Sequence, residues 1–504
     1  MENELLLVLL IPLLGGIISL FFWMDVKRQK IVFLISTIAM TLAAINLMRS
    51  VLENEVITLQ SAGWDAPFGI SLVADYLSTF MVLLTGIMGL AVGIYSMGDM
   101  DRARMRFGFF PLMSFLLFSV SGAFLSGDIF NLYVWFEIML ISSFVLMALG
   151  NTKAQLEGAI KYVTLNIMAS IFFLAGIGVL YGLTGTLNMA DIALRIHSVP
   201  DEGLITLAAV FFFIAFGVKS AVFPLFSWLP ASYHTPPVAI TAIFAALLTK
   251  VGVYAFIRFF TLIFTHESPF LDNLLIFTAA TTMFIGVLGA AAQMEFRKIL
   301  SVHIISQIGY LIMGLAIGTK LAITGVVYFI IHIVFVKTNL FLISGIVNRL
   351  KGSYELKKLG GVYHTYPFLA LLFVISAFSL AGFPPLSGFW AKFALVKAGL
   401  VGDAYFLVLV ALATGFLTLY SMSKIWNEVF WKKKPEEETN LEIETLKKER
   451  GVINRQVLLP VIAITVLSVG VAIWAEPIFY FAEMTAEQLL NPEIYIVNVL
   501  GMAQ

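Results

Sequence analysis

Four lysines in this chain stand in stretches that are otherwise apolar: Lys219 in FGVKSAVFPLFSW, Lys250 in ALLTKVGVY, Lys337 in IVFVKTNLF and Lys392 in GFWAKFALV. One acid, Glu137, stands in LYVWFEIMLISS, about 12 Å into its apolar run at 1.5 Å per residue. Asp75 and Asp128 lie only at the edges of such runs. An unpaired charge at mid-bilayer costs at least about 2.5–3.5 kcal/mol. One carboxylate cannot neutralise four ammoniums, so the unmatched lysines must meet water or polar neighbours, or spend time neutral. Burial weakens a lysine's hold on its proton, and a nearby carboxylate strengthens it. A buried lysine beside a movable acid therefore has a switchable proton affinity, which is what a proton relay requires.

Other polar residues gather near these positions. His332 precedes Lys337 by five residues, about 140° around a helix, so the two do not share a face. Histidine exchanges protons near neutral pH without a large energy step, which makes His332 a relay candidate. Ser301, His303, Ser306, Gln307 and Tyr310 mark one apolar run. Three further cations inside runs, Lys161, Arg258 and Lys397, lie near run ends, where their heads are expected to snorkel to the headgroups. The chain has no cysteine, so disulfides and thiolate chemistry are excluded. No phosphate-binding loop, HExxH or dinucleotide fingerprint occurs, and neither a cofactor nor a metal site is expected. A net charge of zero gives no reason to expect nucleic acid.

The elements that must hold these residues are membrane spans. Hydrophobic residues make up 60% of the 504-residue chain and charged ones 12%, and the mean hydropathy is +0.96. Such a chain cannot cover itself with a polar surface. The pattern predicts an all-α polytopic membrane protein with about fourteen runs long enough to cross about 30 Å of hydrocarbon. Lys or Arg residues number 21 in the odd-numbered loops and 3 in the even-numbered ones. The positive-inside rule then places both termini outside. The first apolar run lacks a basic lead-in and a cleavage site and reads as a retained span.

Two runs carry prolines. Pro224 lies in the seventh and Pro384-Pro385 in the twelfth, which is overlong at 366–401. FPLFSW echoes FPPLSGFW, and each has a lysine nearby. An offset of five spans reverses direction through the membrane. Spans 4–8 and 9–13 therefore read as two inverted five-helix repeats with broken helices 7 and 12, an arrangement that marks ion sites in transporter folds. The expected parts are a three-span segment (1–106), the first repeat (107–264), the second repeat (273–423), a charged cytoplasmic loop (424–455), and a last span with a tail (456–504).

The ordered set Glu137, Lys219, Lys250, Lys337 and Lys392, with FGVKSAVFPLFSWLPASYHTPPVAITAIFAALLTKVGVYAFIRF, resembles the antiporter-like subunits. These are shared by respiratory complex I, membrane-bound hydrogenases and the Mrp-type Na+/H+ antiporters. The likeness covers nearly the whole chain and is greatest to the D-type branch of the Mrp antiporters. The resemblance implies a Glu137–Lys219 pair that controls one half-channel. It implies a central axis of Lys250, Lys337 and His332 with water, and Lys392 as terminal donor or acceptor. It further implies a secondary transporter subunit for H+ and Na+ in a bacterial cell membrane, with other membrane subunits as partners. The alternative is a proton-pumping subunit of a complex I or hydrogenase redox complex, in which case the assembly is a translocase. No compact carboxylate cage for Na+ is evident; Asp75 and Asp128 are the nearest to one.

Overall fold

The computed structural model describes residues 2–266, 268–433 and 453–501. It is a helical membrane bundle. In chain order the principal helices are α1 (Glu2–Phe21), α2 (Val26–Asn54), α3 (Tyr76–Asp99), α4 (Phe109–Leu125), α5 (Ile129–Ala148), α6 (Lys153–Thr184) and α7 (Glu202–Ser220). They continue with α8 (Val238–Leu262), α9 (Pro269–Ala292), α10 (Phe296–Ile317), α11 (Lys320–Lys351), α12 (Pro367–Ala381) and α13 (Ser387–Val401). The last are α14 (Tyr405–Trp431), α15 (Arg455–Ile473), α16 (Ala475–Leu489) and α17 (Pro492–Leu500). Among the described residues twelve helices are long and apolar enough to cross a membrane; α4 and α12 are shorter apolar helices.

Side-chain caps set several boundaries. Asp75 opens α3 with a capping box, its carboxylate taking the Ser78 amide while the Ser78 hydroxyl takes the Asp75 amide. Thr152 and Gln155 do the same at α6. These bonds satisfy amides that a helix start leaves free. Gly352 closes α11 at φ +74°, a conformation that a side chain would strain.

Burial divides the helices. Nearly every residue of the apolar stretches of α8, α10 and α11 is buried inside the bundle. The other long helices keep exposed apolar residues, such as Ile35, Ile141, Ile171, Phe277, Leu409 and Val466, on faces suited to lipid. The 32-residue α11 is the hub and packs against α8, α10, α12, α13, α15 and α16. Lys250, Lys337 and His332 therefore stand on the most enclosed helices.

Four features of the fold have local causes, and three of them depart from the sequence reading. First, the fold is not purely helical. Ile57–Gln60 (β1) pairs antiparallel with Ser71–Ala74 (β2), Ile57 opposite Ala74. Strands of four residues are too short to announce themselves by alternation. Second, the seventh run is broken as expected: α7 stops at Ser220, Ala221 turns left-handed at φ +62°, and helix resumes only at Trp228. The twelfth run likewise splits into α12 and α13 around Gly382 at φ +92°. Third, the charged loop begins later than residue 424. Helix α14 continues to Trp431, and Lys424 places its ammonium 2.7 Å from the carbonyls of Ala291 and Gln293. The remainder of that loop, 434–452, lies outside the described residues. Fourth, the expected C-terminal tail forms α16 and α17. Gln488 of α16 accepts the Tyr76 amide at 3.0 Å and donates to the Glu55 carbonyl at 2.9 Å.

Candidate functional site

The six residues singled out by sequence occupy five helices: Glu137 on α5, Lys219 on α7, Lys250 on α8, His332 and Lys337 on α11, and Lys392 on α13. All four lysines are buried, none more than 8% exposed. What receives each ammonium differs.

Lys219 lies in the last turn of α7, just before the break. Its Nζ is buried without a hydrogen-bond partner among the described residues and lies 5.6 Å from the centroid of the Phe136 ring. An ammonium over an aromatic face is held by the ring quadrupole, a weaker and less directional hold than an ion pair. Glu137, the neighbour of Phe136 in sequence, is half-buried and accepts a hydrogen bond from the Ser170 hydroxyl. No salt bridge joins Glu137 to Lys219 among the described residues. The implied pair is therefore not in contact.

The other three ammoniums rest on backbone carbonyls. Helix α8 widens to a π-helix at Phe244–Leu248, and Lys250 donates to the Ala245 carbonyl at 2.5 Å and lies 3.5 Å from Thr249 Oγ1. A π-bulge displaces the regular ladder of hydrogen bonds, and such bulges are frequent at functional positions. Lys337 donates to the Leu300 carbonyl on α10 at 3.2 Å. Lys392 reaches across the second break to the carbonyls of Leu380 and Ala381, at 2.9 and 3.1 Å, and lies 4.9 Å from the Tyr310 ring centroid. Those are the last carbonyls of α12, which carry the negative end of its dipole. The first break is capped differently: the Trp228 indole donates to the Val218 carbonyl at 2.8 Å, and the Phe223 amide donates to Thr282 Oγ1 at 2.9 Å. His332 and Lys337 diverge as their spacing requires. The imidazole turns to the α12–α13 gap, its Nδ1 2.9 Å from Ser387 Oγ, while Lys337 turns to α10.

Sequence reasoning placed Arg258 among the snorkelling cations, and the structure corrects this. Arg258 is 4% exposed and forms an ion pair with Asp75, which is 1% exposed. It also donates to Tyr254 Oη at 3.2 Å and lies 5.1 Å from the Tyr495 ring centroid. Asp75 is thus engaged by arginine and by its own helix cap, which leaves no carboxylate pair open for a cation there. Lys161 does behave as expected, exposed and paired with Glu157 at 2.6 Å, and Lys397 is exposed. Among the described residues no cluster of three or more acids and histidines could hold a metal ion.

Two cavities lie beside these helices, and the smaller is lined by one of the relay lysines. One of about 650 Å³ opens at the cation-rich end of the bundle and reaches Val238 at the start of α8; Asp99, Asp101, Arg104, Arg297 and Arg349 are among its walls. The other, about 290 Å³, is mostly aromatic and reaches Lys392 and Tyr310 between α12, α13 and α14.

Residues 126–418, which contain all six of these positions, match the family described as NADH:quinone oxidoreductase/Mrp antiporter, TM. The chain is 45% identical to the D-type subunit of the Na(+)/H(+) antiporter of Alkalihalophilus pseudofirmus over 99% of its length and all of that protein. It is 41% identical to the corresponding D-type antiporter protein of Bacillus subtilis, with the same coverage of both chains. A chain of the Mrp complex from Dietzia sp. DQ12-45-1b superposes with a TM-score of 0.91 at 28% identity, covering 99% of this chain and 100% of that one.

Proposed function

This chain belongs to the NADH:quinone oxidoreductase/Mrp antiporter transmembrane family, and from that premise we propose that it is the proton-translocating subunit of a multi-subunit Na+/H+ antiporter. The observation that carries the reading is the run of four buried ammoniums, not one of them in a salt bridge among the described residues. Three rest on carbonyls, at a π-bulge, on a neighbouring helix and at a helix break. A permanent structural cation would be matched by an acid, because an uncompensated buried charge is costly. Carbonyl and aromatic contacts hold an ammonium without preventing it from giving up its proton.

In the proposed cycle, Glu137 approaches Lys219 and holds it protonated. When the carboxylate turns back to Ser170, Lys219 loses its counter-charge, and the proton passes by way of water to Lys250, then to Lys337 and His332, and on to Lys392. The energy scale is suitable: one charge crossing about 100 mV involves about 2.3 kcal/mol, comparable to a change of roughly two pKa units. The proposal includes the two inverted five-helix repeats, because the interruptions at 221–227 and 382–386 each lie beside one of these lysines. It also includes termini on the outer face of a bacterial membrane, from the loop charges, and other membrane subunits as partners.

The test is Na+/H+ exchange in everted vesicles carrying the assembled complex. Glu137→Ala and Lys219→Ala are each expected to cut exchange at least about tenfold, the scale of about 1.4 kcal/mol of lost coupling, at unchanged complex level. Wild-type exchange in either variant removes that residue from the relay. The alternative, a proton pump in a redox complex, shares the fold and the family. It is distinguished by co-purification, since quinone-reducing or hydrogenase subunits bound to this chain would favour it over the antiporter.

A further inference from the structure

His332 sits where α11 passes the gap between α12 and α13, and its surroundings there are hydroxyls. Nδ1 lies 2.9 Å from Ser387 Oγ and 3.5 Å from Ser379 Oγ. The two hydroxyls are 3.0 Å apart, and Ser387 Oγ lies 3.4 Å from Ser468 Oγ on α15. The Gly388 amide donates to Ser379 Oγ at 3.3 Å. His332, Ser379, Ser387 and Ser468 are all buried. A Cβ at residue 388 would overlap the Ser379 carbonyl oxygen and stand 2.8 Å from the imidazole Cε1 and 2.9 Å from Nε2, so the glycine first lets α13 approach the end of α12 and also leaves room for the ring. The Phe329 ring abuts the imidazole from one side. Nε2 is buried and has no hydrogen-bond partner among the described residues, which leaves it as the nitrogen able to meet a mobile proton carrier. The charged groups acting on the ring are Lys337, from its own helix, and Lys392, from α13.

We propose that Ser379 and Ser387 are positioning residues for a proton-carrying His332: a hydroxyl pair that can reverse its direction and so serve the ring in both protonation states. A hydroxyl both donates and accepts, whereas a carbonyl only accepts. When the ring is neutral with its proton on Nε2, Ser387 donates to Nδ1 and accepts from Ser379. When the ring is doubly protonated, Nδ1–H donates to Ser387 Oγ, and the Ser387 hydroxyl turns to donate to Ser379 or Ser468. A proton arriving at Nε2 of the ring that carries Nδ1–H makes the doubly protonated form. Loss of the Nδ1 proton through the Ser387 hydroxyl, whose own proton passes by way of Ser379 or Ser468 to water, returns the neutral form with its proton on Nε2, and no bond between heavier atoms changes. A carbonyl in this place would fix Nδ1 as a permanent donor and take one nitrogen out of exchange. The second break thus has a purpose beyond freeing carbonyls for Lys392: it brings Ser379, at the end of α12, and Ser387, at the start of α13, to the same imidazole.

The inference rests on the relay proposed above, and the experiment separates the two. Ser387→Ala, Ser379→Ala, Ser387→Thr and His332→Ala are compared in everted vesicles containing the whole complex. Exchange is normalised to the complex present and measured across pH and Na+ concentration. Ser387→Ala is expected to slow exchange about tenfold, the scale of one lost buried hydrogen bond, and to displace the pH profile with the Na+ KM unchanged. Ser379→Ala is expected to act in the same direction, and Ser387→Thr, which keeps the hydroxyl, to recover most of the rate and the original profile. A wild-type rate and pH profile in Ser387→Ala, with His332→Ala inactive, overturns the inference alone. So does failure of Ser387→Thr to restore the profile at a normal complex level, because the serine then matters only for packing. Full exchange in His332→Ala overturns both the inference and the histidine's place in the relay.

Discussion

At the scale of single residues, the polar groups in the membrane divide into those matched by an opposite charge and those that are not. Asp75 and Arg258 are matched and immobile, held by each other, by the Ser78 amide at 2.8 Å and by Tyr254. Removing one partner of a buried pair strands the other's charge, at a cost of about 3–5 kcal/mol. Asp75→Ala is therefore expected to lower the complex level and its thermal midpoint sharply. Asp75→Ala with Arg258→Met should recover much of the loss, as a melting curve of the purified complex would reveal; equal loss in the single and double variants would contradict the pairing. The sequence displayed both residues but not their meeting. Alternate threading starts α3 on the side where α8 ends, so the partnership was inferable from topology, though not from hydropathy. Asp128 has a similarly modest part. It caps α5 by taking the Asn131 amide at 2.7 Å, and burial pushes its carboxyl from 3.8 up to about 6. A carboxyl with a raised value in the folded state binds its proton more tightly there than when unfolded. Stability from this group is thus present at low pH and is lost as pH rises from about 3.8 through about 6. Asp128→Asn keeps a capping oxygen without the charge. The expected outcome above pH 7 is an equal or higher complex level with an unchanged Na+ KM, and a raised KM would make Asp128 a cation ligand instead.

At the scale of elements, the places where helices fail were easier to foresee than what repairs them. Pro224 and Pro384-Pro385 announced both interruptions, because proline lacks the amide a helix interior needs. The partners that repair the interruptions come from residues whose type carries no such announcement: Trp228 donating to Val218, Thr282 accepting from Phe223, and Lys392 donating to Leu380 and Ala381. The π-helical turn before Lys250 lies in FAALL, a sequence with no visible irregularity, since nothing local distinguishes a π-turn from an α-turn. It follows that the lysine positions were legible and their carbonyl partners were not. The first repair can be tested by Trp228→Phe, which keeps an aromatic ring beside Tyr162 and Tyr233 while removing the N–H that serves Val218. The cost is expected to be about 1–3 kcal/mol of stability, the penalty for a buried carbonyl left without a donor. Lys219 stands next to that carbonyl in sequence, so exchange per complex should fall as well. A thermal midpoint identical to wild type would show that another donor already serves Val218.

At the scale of the whole molecule, the same asymmetry of charge that organises the loops bears on how the buried lysines are reached. The larger cavity opens at the end rich in Arg and Lys and reaches the start of α8, the helix that carries Lys250. If that end faces the cytoplasm, as the proposed orientation has it, the cavity opens to cytoplasmic water at the start of α8, twelve residues before Lys250. Toward the opposite end of α8, Arg258 pairs with Asp75 and lies over the Tyr495 ring of α17. Because the chain has no cysteine, its orientation can be read with single reporters and no background. Lys357→Cys lies in the segment between α11 and α12, and Glu202→Cys at the start of α7; both positions are exposed, at opposite ends of the bundle by alternate threading. In everted vesicles a membrane-impermeant maleimide is expected to label Lys357→Cys at once and Glu202→Cys only after the bilayer is opened, with the order reversed in right-side-out cells. The opposite pattern would invert the topology and place the larger cavity on the outer face. Proton entry to Lys250 would then come from outside, and the direction of the proposed relay would have to be reversed with it.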